Sequence, residues 1–280
     1  MKANKKPAAL RVSKTGTAAS WLLLLVYLSP LYLVFSIALK SKEDFAKNGF
    51  AWPKTLVWEN LTQAAEKMNV ASTTLNSAIV TFVSIALILL FASWASYAIG
   101  RRGTRGYRRV YLFFTLGMMI PFQLIMLPLY QIINSLHLMG KYLSVICIYV
   151  GTTLPVAIVI LTGFISTIPK ELDEAALIDG ASPMYVFWKI IIPLIKAPLV
   201  TVMIICMVQF WNDLLTPMLF LGSKHQTLTV ALYNFKGAFY TTDWTMVFSG
   251  ALIAMLPLLV IFLISQKYFI KGMVTGAVKG

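Results

Sequence analysis

In 280 residues, 59% are hydrophobic, only 12% are charged and mean hydropathy is +0.78, which excludes a soluble globular domain and indicates a polytopic membrane protein. The formal charge of +14 does not indicate nucleic-acid binding, because the basic residues stand between long apolar runs instead of forming one stripe. Cys147 and Cys206 lie inside apolar runs, form neither a CxxC pair nor a disulfide framework, and read as small core residues.

In chain order, hydropathy predicts six spans near 21–39, 74–99, 110–133, 142–165, 199–221 and 246–264, each close to the roughly 20 residues a bilayer core requires. The first follows a basic start, but it is too long for a signal peptide and is ended by Lys40, Ser41 and Lys42 instead of a small-residue cleavage pattern. The segment 40–72, with Trp52 and Trp58, is expected at the outer interface or against a substrate-binding protein. Pro121 and Pro128 interrupt the third span, Pro155 the fourth, Pro217 the fifth and Pro257 the sixth. Each removes a backbone donor and favours a kink, which lines a cavity or is an ordinary membrane kink; Pro30 and Pro257 read as the latter. His137 and His225 fall in outside loops and read as surface residues.

Lys and Arg alternate in density across these spans. The segments 1–17, 100–109, 166–197 and 265–280 hold five, five, three and three, whereas the three intervening loops hold five, one and two. This bias places both termini in the cytoplasm. Three of the four inside segments contain no acid, whereas the fourth contains Glu171, Asp173, Glu174 and Asp179 and is net negative. It is therefore not expected to lie on anionic lipid.

Residues 171–193, ELDEAALIDGASPMYVFWKIIIP, have the chemistry of a helix-bend-helix. Pro169 suits a first helical position, and Glu171, Asp173 and Glu174 complement the positive end of the helix dipole. Gly180 suits a left-handed C-terminal cap, and Ser182 with Pro183 suits the start of a second helix, which Pro193 should stop by about Ile192. Asp179 opposes the dipole at the helix end, so it is solvated or meets a basic partner. Ala175 and Ala176 permit close approach by another chain, or are simply good helix formers.

EAALIDGAS followed by IIIPLIKAP resembles the EAA loop of permease subunits in bacterial ATP-binding-cassette importers, in residue identity, spacing and placement between the fourth and fifth spans. The tail QKYFIKGMVTGAVKG and the stretch QFWNDLLTPM are similar to the sugar-importing branch, in the shorter of two maltose-type permeases. The resemblance implies a single transmembrane domain over 1–280: an all-α polytopic membrane protein with six transmembrane helices and a cytoplasmic coupling loop at 166–197, like a type I importer permease. It implies ATPase-coupling roles for Glu174, Ala175, Ala176, Asp179 and Gly180, and an ATPase contact by Lys271, Gly272, Gly276 and Lys279 in the tail. Because the tail's glycines resist regular helix, an extended insertion is expected there, with a disordered end as the alternative.

The implied assembly is a heterodimer with a related permease, two ATPase subunits and an extracytoplasmic sugar-binding protein, in the bacterial cell membrane. Oligosaccharide cargo is expected, with glycerol phosphate, a polyol or a monosaccharide as alternatives. The chain is not expected to be an enzyme or to hold a cofactor; ATP and magnesium belong to the partner ATPase. It lacks the P-loop pattern, since Gly140 and Lys141 are preceded by Ser135 where the first glycine should stand, and it lacks HExxH and GxSxG.

Asp213, in or near the fifth span, adjoins Gln209, Trp211 and Asn212, a grouping that could serve sugar hydroxyls in a transport pathway. The alternative is that Gln209 and Asp213 bond neighbouring helices. An ion-coupled secondary transporter is the rival of another class, but the sequence shows no clear internal repeat and only this acid within the spans.

Overall fold

The computed structural model describes residues 14–235 and 242–277, with side chains over 16–235 and 242–264. In chain order the α-helices are α1 (Lys14–Ala38), α2 (Lys42–Lys47), α3 (Glu59–Met68), α4 (Val70–Arg102), α5 (Arg105–Gly117), α6 (Phe122–Ser135), α7 (Tyr142–Ile165), α8 (Glu171–Ile178), α9 (Pro183–Tyr185), α10 (Ile192–Leu194), α11 (Lys196–Trp211), α12 (Leu215–Phe220), α13 (Leu228–Tyr233) and α14 (Trp244–Ala277). A π-helical turn, Val186–Ile191, joins α9 to α10. The chain is an all-helical polytopic membrane protein. Four helices are long and apolar enough to cross a bilayer (Gly16–Ala38, Val70–Arg102, Tyr142–Ile165 and Trp244–Ile264), or up to six if two bent pairs each count as one span.

The third predicted span is not one rod. Its halves, α5 and α6, meet at 99° across 118–121, because Pro121 cannot donate to a continuing helix and pushes Ile120 out of the helical region. The fifth is broken too: α11 ends at Trp211 and only the short α12 follows. The predicted stop at Ile192 is also corrected. The helical path continues through Pro193 to Leu194, because the wider π turn before it accommodates a residue without an N–H. Pro169 stands before α8 and not in its first turn.

The chain packs as two units. One comprises 14–65 with 242–253 of the described residues. Here the fully buried Lys40 donates from Nζ to the carbonyls of Asn48 (2.7 Å) and Gly49 (3.0 Å), while the Asn60 amide donates to Ala38 O and Lys40 O. Trp52 stacks on Tyr32 with centroids 6.1 Å apart. Lys42 Nζ meets Asp243 Oδ2 at 2.8 Å. Burial opposes ionisation of Asp243, but the Lys42 ammonium, the Thr245 hydroxyl and the Met246 amide hold its carboxyl below the usual range.

The other unit comprises 66–235 with 254–277 of the described residues. Its core lies where α4 packs along α7, around Ile88, Ala92, Ile158 and Leu161, and receives Phe210 and Trp211 from α11. Contrary to the surface reading, His225 is partly buried: its Nδ1 lies 3.0 Å from Gly140 O and its ring 4.6 Å from that of Tyr142. Cys206 is buried as expected, but Cys147 is exposed.

The end of α14 departs from the extended tail expected from the glycines. The helix runs through Gly272 and Gly276 to Ala277. The side chain of Lys271 and the whole of Lys279 lie outside the described residues.

Candidate functional site: a coupling elbow and a helix-lined cavity

The stretch from Glu171 to Leu194 forms a bent element at the end of α7. At its corner, Gly180 has φ of +84°, its N–H donates to Leu177 O (3.1 Å), and the Ala181 N–H donates to Ala176 O (3.0 Å). This pair of bonds is the Schellman closure expected when glycine ends a helix. Ser182 then caps the second limb, its Oγ accepting from Tyr185 N at 3.2 Å. At the far end, Ile195 turns the chain into α11 through 74°.

Glu174, Ala175, Asp179 and Gly180 are exposed, and neither acid has a side-chain partner among the described residues. Ala176 is turned partly inward, against the buried cluster of Ile165, Val186, Ile191 and Ile195. Several apolar side chains of the elbow are also exposed: Leu172, Leu177, Met184, Tyr185 and, at 86%, Ile178. Such a surface, on which Glu171, Glu174 and Asp179 are exposed as well, is suited to a partner with an apolar groove and basic residues.

Sequence reasoning missed the fastening of this elbow. Asp173 belongs to the acidic first turn, yet it is only 8% exposed, whereas Glu174 is exposed. Arg101, at the end of α4, donates from Nη2 to its Oδ1 at 3.0 Å, and Nε lies 2.8 Å from Oδ2 as an ion pair. The Tyr97 hydroxyl donates to Oδ2 at 3.3 Å. Among the described residues, no group of three His, Cys, Asp or Glu could hold a metal ion.

Of the four predicted pathway residues, the structure brings two to one cavity. It has a volume of about 690 Å³ and is lined by residues from both sides of the break between α5 and α6, Gly117 and Gln123 among them, together with Tyr149, Thr152, Gln209 and Asp213. Asp213 Oδ1 also accepts from Leu215 N (3.0 Å) and Thr216 N (3.4 Å), so the carboxylate caps α12. Trp211 and Asn212 are not in the lining. The Trp211 indole is buried, with Nε1 donating to Ala254 O at 3.4 Å, and the Asn212 amide donates back to Val208 O. Tyr149, missed in the sequence, is 3% exposed and stacks on Phe210 with centroids 4.1 Å apart.

Comparison with known proteins decides the class. Residues 88–275, which include the elbow and the cavity-lining helices, match the family described as binding-protein-dependent transport system inner membrane component. The chain belongs to this family.

Among transport inner membrane components, this one is 37% identical over 253 residues to the melibiose/raffinose/stachyose import permease MelC of Bacillus subtilis (strain 168), covering 90% of this chain and 91% of that relative. It is 31% identical over 256 residues to AmyC of Thermoanaerobacterium thermosulfurigenes, a probable starch degradation products transport system permease, covering 91% and 93%. In fold it is similar to a chain of a bacterial ABC transporter involved in import of the acidic polysaccharide alginate: TM-score 0.78 at 19% identity, covering 94% of this chain and 100% of that one. The transport component's helical scaffold is thus shared with a chain only 19% identical to it.

Proposed function

We propose that this chain is the permease subunit of an ATP-driven importer of oligosaccharides in a bacterial cell membrane. It pairs with a related permease, receives cargo from an extracytoplasmic sugar-binding protein, and couples through its elbow to two separate ATPase subunits that hold ATP and magnesium. The observation that carries this reading is the elbow, which exposes apolar side chains together with Glu171, Glu174 and Asp179 about a corner fixed by Gly180. The import and transport roles in the relatives' names support the sugar class. The excess of Lys and Arg in alternate segments supports cytoplasmic termini, which puts the elbow on the ATPase side.

In this reading Gln209 and Asp213 face the pathway, while Trp211 and Asn212 support the helix carrying them. The uptake test uses the chain with its companion permease, ATPase and binding protein in proteoliposomes, offered a panel of melibiose, raffinose, maltotriose, glucose and glycerol phosphate. ATP-dependent oligosaccharide uptake is expected. Uptake driven by an ion gradient without the ATPase contradicts the proposal.

Gly180→Pro cannot adopt φ of +84° and loses the N–H bonded to Leu177 O. Glu174→Lys reverses the charge of the docking face. Each is expected to lower uptake at least about tenfold, corresponding to roughly 1.4 kcal/mol of lost coupling, and to weaken ATPase co-purification without impairing membrane insertion. Wild-type uptake in both variants contradicts the docking role.

A further inference from the structure

Both limbs of the elbow are held by α4, a helix to which neither limb is directly joined in sequence. The first limb is held by the Arg101–Asp173 ion pair, whose side chains are 10% and 11% exposed, with Tyr97 as a third member. Arg101 also donates from Nη1 to Ile168 O at 2.6 Å, so one guanidinium grips both the link leading into α8 and α8 itself. The second limb is held by rings: Phe187 lies 5.4 Å from Tyr97 and Trp188 lies edge-on 6.5 Å from Trp94. Trp94, Tyr97 and Arg101 recur at the spacing that shares one helix face.

The same end of α4 is locked to α7. Ser96 Oγ donates to Ile158 O at 3.1 Å, and a Cβ on Gly100 would come within 3.0 Å of Ile165 Cγ2. Only glycine permits this approach without moving Ile165. Loss of either charge at the joint leaves the other buried without its ion-pair partner, which is costly. The guanidinium fork adds direction as well as attraction.

We infer that Asp173, Arg101 and Tyr97 are positioning residues that make the elbow, α4 and the end of α7 one rigid body. A push on the elbow then moves α4 and α7 together, and α7 carries Cys147, Tyr149, Thr152 and Pro155 in the cavity wall. Without the joint, α8 pivots on the short link 166–170 and the displacement is spent there. This inference rests on the proposal that the elbow docks on an ATPase.

The test is uptake of a panel sugar per ATP hydrolysed, measured on one proteoliposome preparation of the whole complex. Asp173→Asn and Arg101→Met are expected to lower this ratio about fivefold, within the range found for residues that carry coupling, while the complex assembles and hydrolyses ATP. Tyr97→Phe keeps the ring against Phe187, removes one bond to Asp173, and is expected to lower the ratio about twofold. The double variant Arg101→Met with Asp173→Leu leaves no unpaired charge, so it is expected to assemble even where a single variant does not, and to show the same about fivefold loss as the single variants. A merely structural role lowers both rates in proportion. An unchanged ratio in the double variant overturns the inference, whether both rates fall or neither moves. Failure of the unmutated complex to import any panel sugar with ATP overturns the wider functional reading instead, and shows before any variant is compared.

Discussion

At Gly180 the limit on substitution is conformational, not steric: nothing lies within 4 Å of an added Cβ, but φ is +84°. That need was legible in the sequence, because a glycine between an acidic helix start and a Ser-Pro pair has few other uses. Asp173 was not legible in the same way. Its neighbours Glu171 and Glu174 have the same chemistry and are exposed, and only the tertiary approach of Arg101 separates their roles. Lys40 shows the same limit, since a lysine at the end of an apolar run reads as a boundary, yet it is fully buried with two carbonyl acceptors. Replacing it by Met leaves both carbonyls without that donor and is expected to destabilise the 14–65 unit by about 2 kcal/mol. Thermal or denaturant unfolding of the purified complex measures this, and an unchanged midpoint contradicts it.

At the scale of elements, hydropathy located the apolar stretches but not their breaks. Window averaging passes over Asn212–Asp213–Leu214, because the flanking residues are apolar on both sides, whereas Pro121 was legible as an interruption of the third span; the helices stop at both places. Those two breaks border the cavity, and the backbone groups they free are partly answered by the chain itself, as when Asp213 takes the N–H groups of Leu215 and Thr216. The reading of Gln209 and Asp213 as one pathway pair therefore divides by role. Asp213→Ala is expected to lose about 1 kcal/mol of helix capping as well as uptake. Gln209, with no capping duty, is expected to alter sugar preference or apparent affinity on conversion to Ala while stability is retained. A competition panel with an unfolding curve checks both, and wild-type uptake and preference in the two variants together contradict the pathway role.

For the whole molecule, composition and the EAALIDGAS stretch carried class and family, since both depend on local chemistry that any membrane and any partner would impose. The division into two packed units was not visible, because it depends on pairings such as Lys42 with Asp243 across some 200 residues of sequence. The same holds for the end of α14, where glycine content argued for an extended chain while the structure continues the helix to Ala277. In the proposed reading the energy reaches this chain through a contact with the ATPase, and the elbow, with its exposed apolar residues and acids, is the surface proposed for it. The most direct test is a crosslink from Ile178→Cys in the assembled importer, using a bifunctional thiol reagent before and during ATP turnover. The account predicts adducts with the ATPase subunit in both conditions; a thiol that reacts only with lipid or solvent throughout turnover contradicts it.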